Sequence, residues 1–256
     1  MARFPLRDKV ALITGGTEGI GAECAHAFSR RGAHVVALGL PSEVAGNGNG
    51  VPVIYGDVTR PEVRDCLVDT AIRKFGRVDI LVNNVGVGLY ATASEAPLEY
   101  ARRIFEVNFF AALSMTQLVL PLLRRQGSGA VVNMGSIAGC VSLPWSAMYS
   151  ATKHAVHAFS DSLYRELRPE GIHVLTVIPG IVTTRFREHV IEGTPPPRVR
   201  NTGFAISPQA LAEAVAEALE QKRRVVATPW LCRPFDFVNR WFPRVMDVYC
   251  EQKLRP

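Results

Sequence analysis

The chain has 256 residues, 48% of them hydrophobic, and a formal net charge of +6. That is enough apolar material for one sizeable core. The basic excess is modest and its arginines are scattered, without a Lys/Arg stripe interleaved with aromatics, so a nucleic-acid partner is excluded.

The N-terminal residues Met1 to Asp8 carry no apolar run ahead of their charges, so no signal peptide is expected. The longest apolar segments are interrupted by Pro, Gly or charge short of a membrane span, and a membrane partner is not expected. Cysteines 24, 66, 140, 232 and 250 are odd in number and lack close pairing. They read as reduced thiols of a cytoplasmic protein rather than as a disulfide framework or a metal set.

Val10 to Ile13 is a short apolar run, read as a buried strand. Thr14-Gly15-Gly16-Thr17-Glu18-Gly19-Ile20-Gly21 follows at once, and Ala22 to Arg31 places Ala25 and Phe28 on a helical period. In this strand, turn and helix, Gly15 permits the tight turn, Gly19 lets backbone approach a pyrophosphate, and Gly21 lets the helix pack on the strand. The helix N-terminus then faces phosphate groups, and Thr17, Glu18 and Ile20 fall within the same turn. A merely flexible loop is the competing reading, but the flanking strand and helix argue against it.

Ala33 to Leu38 is the second strand. At its end, where a dinucleotide fold selects its cofactor, stand Gly39-Leu40-Pro41: neither an acid for a ribose hydroxyl nor an Arg for a 2′-phosphate. Glu43 is close by, and Pro41 to Gly50 reads as a loop. Val51 to Tyr55 is a third strand ending in Gly56-Asp57-Val58. Asp57 either accepts from an adenine amino group or caps the amphipathic helix of Pro61 to Phe75.

Val78 to Val82 is a fourth strand, followed by Asn83-Asn84-Val85-Gly86. Pro97 to Arg125 is a long helical stretch with Asn108 inside an apolar run; a buried Asn must be hydrogen-bonded, to backbone or within a site. Ala130 to Met134 is a fifth strand, and Gly135 to Gly139 a turn exposing Ser136. Trp145 to Arg168 is a helix, Ile172 to Ile178 a sixth strand closed by Pro179-Gly180, and Val225 to Ala227 the last strand. Between them, residues 181–206 lack periodicity and contain Pro195 to Pro197, as a lid does. Ser207-Pro208 caps a helix running to about Lys222. The alternation predicts one α/β domain over residues 1–256: a doubly wound, Rossmann-like parallel sheet in three α/β/α layers, with a C-terminal extension at 230–256.

Tyr149 and Lys153 stand four apart on a predicted helix and so share one face. A phenol titrates near ~10 in water, and a fixed ammonium beside it favours the phenolate. One helical turn therefore makes an acid/base catalyst. All the candidate groups lie at the C-terminal ends of predicted strands, the edge where open α/β sheets bind ligands.

Taken together, Thr14-Gly15-x-x-x-Gly19-x-Gly21, Asp57, Asn83-Asn84-Val85-Gly86, Asn108, Ser136, Tyr149-x-x-x-Lys153 and Pro179-Gly180-x-Val182-x-Thr184 resemble the short-chain dehydrogenase/reductases of the common 250-residue type. The likeness covers nearly the whole chain in family order. It implies an NAD(P)-dependent oxidoreductase moving hydride between nicotinamide and a secondary alcohol or ketone. Tyr149 would be the acid/base. Lys153 would lower its pKa and bind the nicotinamide ribose, Ser136 would hold the substrate oxygen, and Asn108 would hold a water linking Lys153 to solvent. Cofactor contacts would come from the glycine turn, Gly39, Asp57, Val58, Asn84, Gly86, Tyr149, Lys153, Pro179, Gly180, Val182 and Thr184. No metal is required and no ligand cluster is evident. Val85 departs from the family's frequent Ala. Glu18 would repel a 2′-phosphate, so NAD is favoured over NADP.

The residues expected around the substrate are apolar: Val87, Leu89, Ile137, Val141, Leu143, Trp145, Met148, Ile181 and Phe186. No Arg or Lys is placed by the motifs to clamp a carboxylate, so a hydrophobic alcohol or ketone is the expected substrate. The rival class is a nucleotide-binding regulator without catalysis, which the presence of Ser136, Tyr149 and Lys153 argues against. Phe235, Val238, Phe242, Val245 and Tyr249 form an apolar stripe, widened by Trp241 and Met246 and broken at Pro243. Arg233, Arg240, Arg244 and Lys253 surround it. Packing on the chain's own substrate pocket or core is the foremost reading, then a contact in a homodimer or homotetramer, then an anionic membrane.

Overall fold

A computed structural model of the chain describes residues 3–41, 50–194, 205–229 and 232–254. Glu43 and Pro195 to Pro197 lie outside these residues. Seven strands, β1 (Val10–Thr14), β2 (His34–Gly39), β3 (Val53–Tyr55), β4 (Ile80–Asn83), β5 (Gly129–Met134), β6 (Ile172–Pro179) and β7 (Val225–Thr228), form one parallel sheet in the order β3-β2-β1-β4-β5-β6-β7. The order reverses beside β1, so the loops after β1 and β4 part there and open a crevice.

Both faces of the sheet are covered, and the strands read as continuous apolar runs for that reason. Ile13, Val132 and Leu175 point to a layer with Phe28 of α1 (Gly19–Arg30) and Leu211, Val215 and Leu219 of α6 (Pro208–Glu220). Their neighbours Leu12, Val131 and Val174 point the other way, to Leu67 of α2 (Pro61–Phe75), Met115 and Leu123 of α4 (Ala111–Gln126) and Leu163 of α5 (Ala147–Leu167). A polar chain crosses this core. Asn83 sits opposite Asn133 in register and donates to its carbonyl at 2.9 Å, and Asn133 donates to Ser160 Oγ at 2.9 Å.

Several boundaries differ from expectation for local reasons. The stretch predicted as one helix from Pro97 to Arg125 is α3 (Leu98–Phe105), a π-helical turn at Glu106–Phe110 and α4. Together Leu98–Gln126 is 29 residues long and apolar enough to cross a membrane by length and composition. That corrects the expectation that every apolar stretch falls short of a span. Ile104, Val107, Met115, Val119 and Leu123 of this run are buried in the protein. The helix expected from Trp145 begins at Ala147, because Trp145 has φ 58, a left-handed conformation incompatible with a helical turn. Ser207 caps α6 as expected, accepting from the Ala210 amide at 3.1 Å.

The described part of residues 181–206 is not a bare loop. A 3-10 turn at Arg185–Glu188 precedes a ladder in which Gly88 donates to His189 O at 3.0 Å and Ile191 to Gly88 O at 2.9 Å. Beyond the sheet, α7 (Cys232–Trp241) ends and α8 (Pro243–Leu254) begins at the proline, which suits a helix start because its missing N–H is not needed there. The foremost reading of this segment is corrected. Met246 is buried, but Phe237, Trp241, Phe242, Val245, Val248 and Tyr249 are exposed. Two short helices meeting at Pro243 cannot turn all of these side chains toward one core surface.

Candidate active site

The crevice at the C-terminal sheet edge has a volume of about 260 Å³. It runs from Leu40 and Asp57, over the glycine turn, to Ser136, Tyr149 and Lys153.

At the glycine turn, Gly15 and Gly19 have φ of 63 and 54, left-handed conformations that favour glycine. A Cβ on Gly21 would lie 1.9 Å from the Gly15 carbonyl oxygen. Asn84 ties this turn to the loop after β4, donating through Nδ2 to Thr14 O at 3.0 Å and Gly15 O at 2.9 Å. Thr14 Oγ1 accepts in return from the Asn84 amide at 3.0 Å. No side chain caps the N-terminus of α1. Bare backbone at an uncapped helix start fits a pyrophosphate, so the chain's residues fit a dinucleotide.

Of the expected cofactor residues, Gly15, Glu18, Gly19, Ile20, Gly39, Asp57, Val58, Asn84, Gly86, Pro179, Gly180, Val182 and Thr184 line the crevice together with Tyr149 and Lys153. Thr17 and Gly21 lie behind it. Thr17 fills the space over Gly39: a Cβ there would come 2.0 Å from Thr17 Oγ1, so an acid cannot be accommodated at Gly39 without moving Thr17. Leu40, the residue after Gly39, does line the crevice. Asp57 makes a turn rather than a helix cap. Oδ1 accepts from the Thr59 amide at 2.9 Å, and Oδ2 pairs with Arg103 at 2.8 Å. Burial acts to raise its pKa, but the Arg103 and Thr59 hydrogen bonds outweigh this and hold it below the usual carboxylate range. Glu18 is paired with His189 and, at 3.6 Å, with Arg185, so two side chains of the 185–189 segment reach across the turn.

At the other end, α5 presents Tyr149 and Lys153 on one face, and the π-helical turn brings up Asn108. Asn108 Oδ1 accepts from the Val87 amide at 2.8 Å, while Nδ2 donates to Val87 O at 3.0 Å and Thr152 Oγ1 at 3.1 Å. Asn108 therefore braces the loop at Gly86-Val87 against α5 and does not line the crevice. Such a bulge inside a helix is a common mark of a functional site. Lys153 is 4% exposed, and its Nζ donates to Met134 O at 2.9 Å. Burial without a carboxylate partner brings it down to about 8. Tyr149, hydrogen-bonded to Ser136, is pushed up to about 12 because burial outweighs that hydrogen bond, and Tyr90 adds to the rise. This corrects the expectation of a lowered phenol. Lys153 Nζ sits 5.8 Å from the Tyr149 ring centre and is aimed at a carbonyl.

The apolar pocket was only partly legible. Val87 and Phe186 line the crevice, and the Phe186 ring lies 5.8 Å from that of Tyr149. Leu89 and Val141 are buried in the body of the domain instead. Ile137, Leu143, Trp145, Met148 and Ile181 also lie off the crevice lining. The chain's neighbours of a motif residue alternate inward and outward, so adjacency to a motif does not place a side chain in the cleft. Sequence reasoning missed Arg103, Val107, Met134 and His189, all on the lining. Met134 was signalled by its place at the end of a strand, two residues before Ser136, and His189 by the 181–206 segment; Arg103 and Val107 come from the α3 region, joined to the site only in three dimensions.

A family model for short chain dehydrogenases matches residues 9–194. The chain belongs to the short-chain dehydrogenase/reductase family. It is 31% identical over 236 residues to the dehydrogenase/reductase SDR family member 7B of Mus musculus, covering 86% of this chain and 73% of that one. It is also 31% identical to an uncharacterised oxidoreductase of Staphylococcus saprophyticus, covering 90% and 97%. Among solved structures, a Burkholderia phymatum short-chain dehydrogenase/reductase in complex with NAD has a TM-score of 0.84 at 24% identity over 95% and 96% of the two chains, a likeness of fold. One from Burkholderia cenocepacia in complex with NADP has a TM-score of 0.80 at 26% identity over 99% and 100%. This short-chain dehydrogenase/reductase is accordingly an NAD(P)-dependent oxidoreductase.

Its proton inventory sets a pH dependence. Tyr149 keeps its proton until about 12, whereas Lys153 loses its charge as pH rises through about 8. If Tyr149 gives up its proton beside a charged Lys153, carbonyl reduction is expected to be level at neutral pH and to decline through about 8. A kcat/KM profile for ketone reduction whose only fall lies above pH ~10 would contradict this reading of Lys153.

Proposed function

We propose that the enzyme interconverts a hydrophobic ketone and its secondary alcohol, with NAD as the preferred carrier and Tyr149 as the acid/base. The observation that carries this reading is the hydrogen-bonded pair of Ser136 and Tyr149 at the end of the crevice lined by Val87 and Phe186. Bound at the glycine turn, the nicotinamide cofactor supplies or accepts the hydride. In reduction, Ser136 and Tyr149 donate hydrogen bonds to the carbonyl oxygen, and Tyr149 passes its proton as negative charge develops there. Lys153, charged, stabilises the negative charge that develops on the phenol, and its burial keeps that effect unscreened. In oxidation the same phenol takes the hydroxyl proton back.

Two features support NAD. Leu40, just after β2, offers no charge to a 2′-phosphate, and Arg103 is already paired with Asp57. The exposed aromatic and aliphatic side chains of α7 and α8 support a homo-oligomer that buries them, since the exposed rings of Phe237, Trp241 and Phe242 lie together and Val245 of α8 is exposed as well.

Tyr149→Phe keeps the ring and removes the proton. Reduction of 2-octanone, acetophenone and 9,10-phenanthrenequinone by NADH should fall by about 10² or more with cofactor affinity little changed. Turnover near the wild-type value would sink the assignment. Leu40→Asp should raise the NAD-over-NADP affinity ratio by about tenfold, because a carboxylate accepts from ribose hydroxyls and repels a phosphate. An unchanged ratio in competition binding would remove Leu40 from the ribose site. Light scattering coupled to gel filtration should give a dimer or tetramer mass, and a monomer at micromolar concentration would overturn the oligomer reading.

A further inference from the structure

The helix that carries Tyr149 and Lys153 brings a third side chain to the same face one turn later, His157, which no motif marks. Its ring lies directly beneath the turn that holds Ser136. His157 Nε2 accepts from the Ser136 backbone N–H at 3.3 Å, and Nδ1 faces Cys140 Sγ at 3.8 Å. An amide N–H can only donate, so Nε2 must be the bare nitrogen and Nδ1 carries the proton.

The glycines that bracket the serine are cut to fit this ring. A Cβ on Gly135 would lie 2.2 Å from His157 Nε2, and one on Gly139 would lie 2.7 Å from Cε1. Both residues of the turn therefore yield their side-chain space to the imidazole. We propose that His157 is a positioning residue for the reaction: by holding the Ser136 backbone, it sets the serine hydroxyl against Tyr149 and the substrate oxygen.

The environment keeps the ring in the form this requires. Burial brings His157 down to about 4, aided by the charges of Lys153 and His154 and opposed by the Gly139 backbone and Asp161. The imidazole is thus a neutral acceptor across the working range. A protonated ring would turn a second donor toward the Ser136 N–H and push the turn away.

The proposal rests on the oxidoreductase reading of the site, and the test separates the two. In NADH reduction of 9,10-phenanthrenequinone, His157→Leu should lower kcat by about tenfold while the cofactor Kd stays within about twofold. His157→Gln, whose amide oxygen also accepts, should recover most of that loss. In a Ser136→Ala background, His157→Leu should cost nothing further, because the group it positions is gone. An undiminished kcat in His157→Leu would overturn the proposal, and so would a full tenfold loss in the Ser136→Ala background, which marks a general structural role. One reading needs no substrate. In histidine-labelled protein, ¹⁵N NMR should show His157 with Nε2 unprotonated and no ionisation between pH ~8 and ~5, and the opposite tautomer or a transition near ~6.5 would overturn the proposal. A wild type silent toward the quinone would count against the substrate class proposed above, with the NMR result alone then deciding for or against His157.

Discussion

Burying the Lys153 ammonium is the constraint on which the site depends. At 4% exposure and without a carboxylate beside it, the charge is tolerated only because Met134 O accepts from it. Met134 is the last residue of β5, so the strand must end where α5 passes, and β5 must sit between β4 and β6 to bring both flanking turns within reach. Proximity of Asn108 and Lys153 to Gly86 follows, since a Cβ on Gly86 would meet both at 3.5 Å. The same burial that depresses Lys153 holds the proton on Tyr149.

Placing these groups required an irregularity. A regular helix from Leu98 to Gln126 would carry Asn108 past Val87. The π-helical turn at Glu106–Phe110 widens the helix by one residue and lets Asn108 hold both the N–H and the C=O of Val87. The C-terminal extension contributes similarly from afar. Asn239 of α7 donates to Cys140 O at 3.1 Å, so the turn that begins at Ser136 is held at its far end by the last part of the chain.

At the cofactor end, charges that look free in sequence are engaged with one another. Asp57 holds Arg103, and Glu18 holds His189 and Arg185 across the glycine turn. A selectivity argument from single charges is weakened by such pairing, because a neutralised group projects little field into the cleft. The apolar Leu40 and the backbone of Gly15 and Gly19 also line this end, which is shaped by packing: Thr17 over Gly39, and Gly15 O against Gly21.

The sequence by itself determined the alternation of strands and helices, the glycine turn, the Tyr149/Lys153 face and the break at Pro243. Each is a local matter, decided by hydrophobic period, by backbone freedom at glycine or by the missing N–H of proline, all within a few residues. Tertiary structure decided the rest. That Leu89 and Val141 face the interior, that the aromatics of α7 and α8 face outward, that Tyr149 is a harder acid than its lysine neighbour suggested, and that His157 and Asn239 reach the serine turn all depend on which elements become neighbours. Desolvation and long-range hydrogen bonds exist only once the chain has closed on itself, so no reading of spacing along the chain can supply their sign.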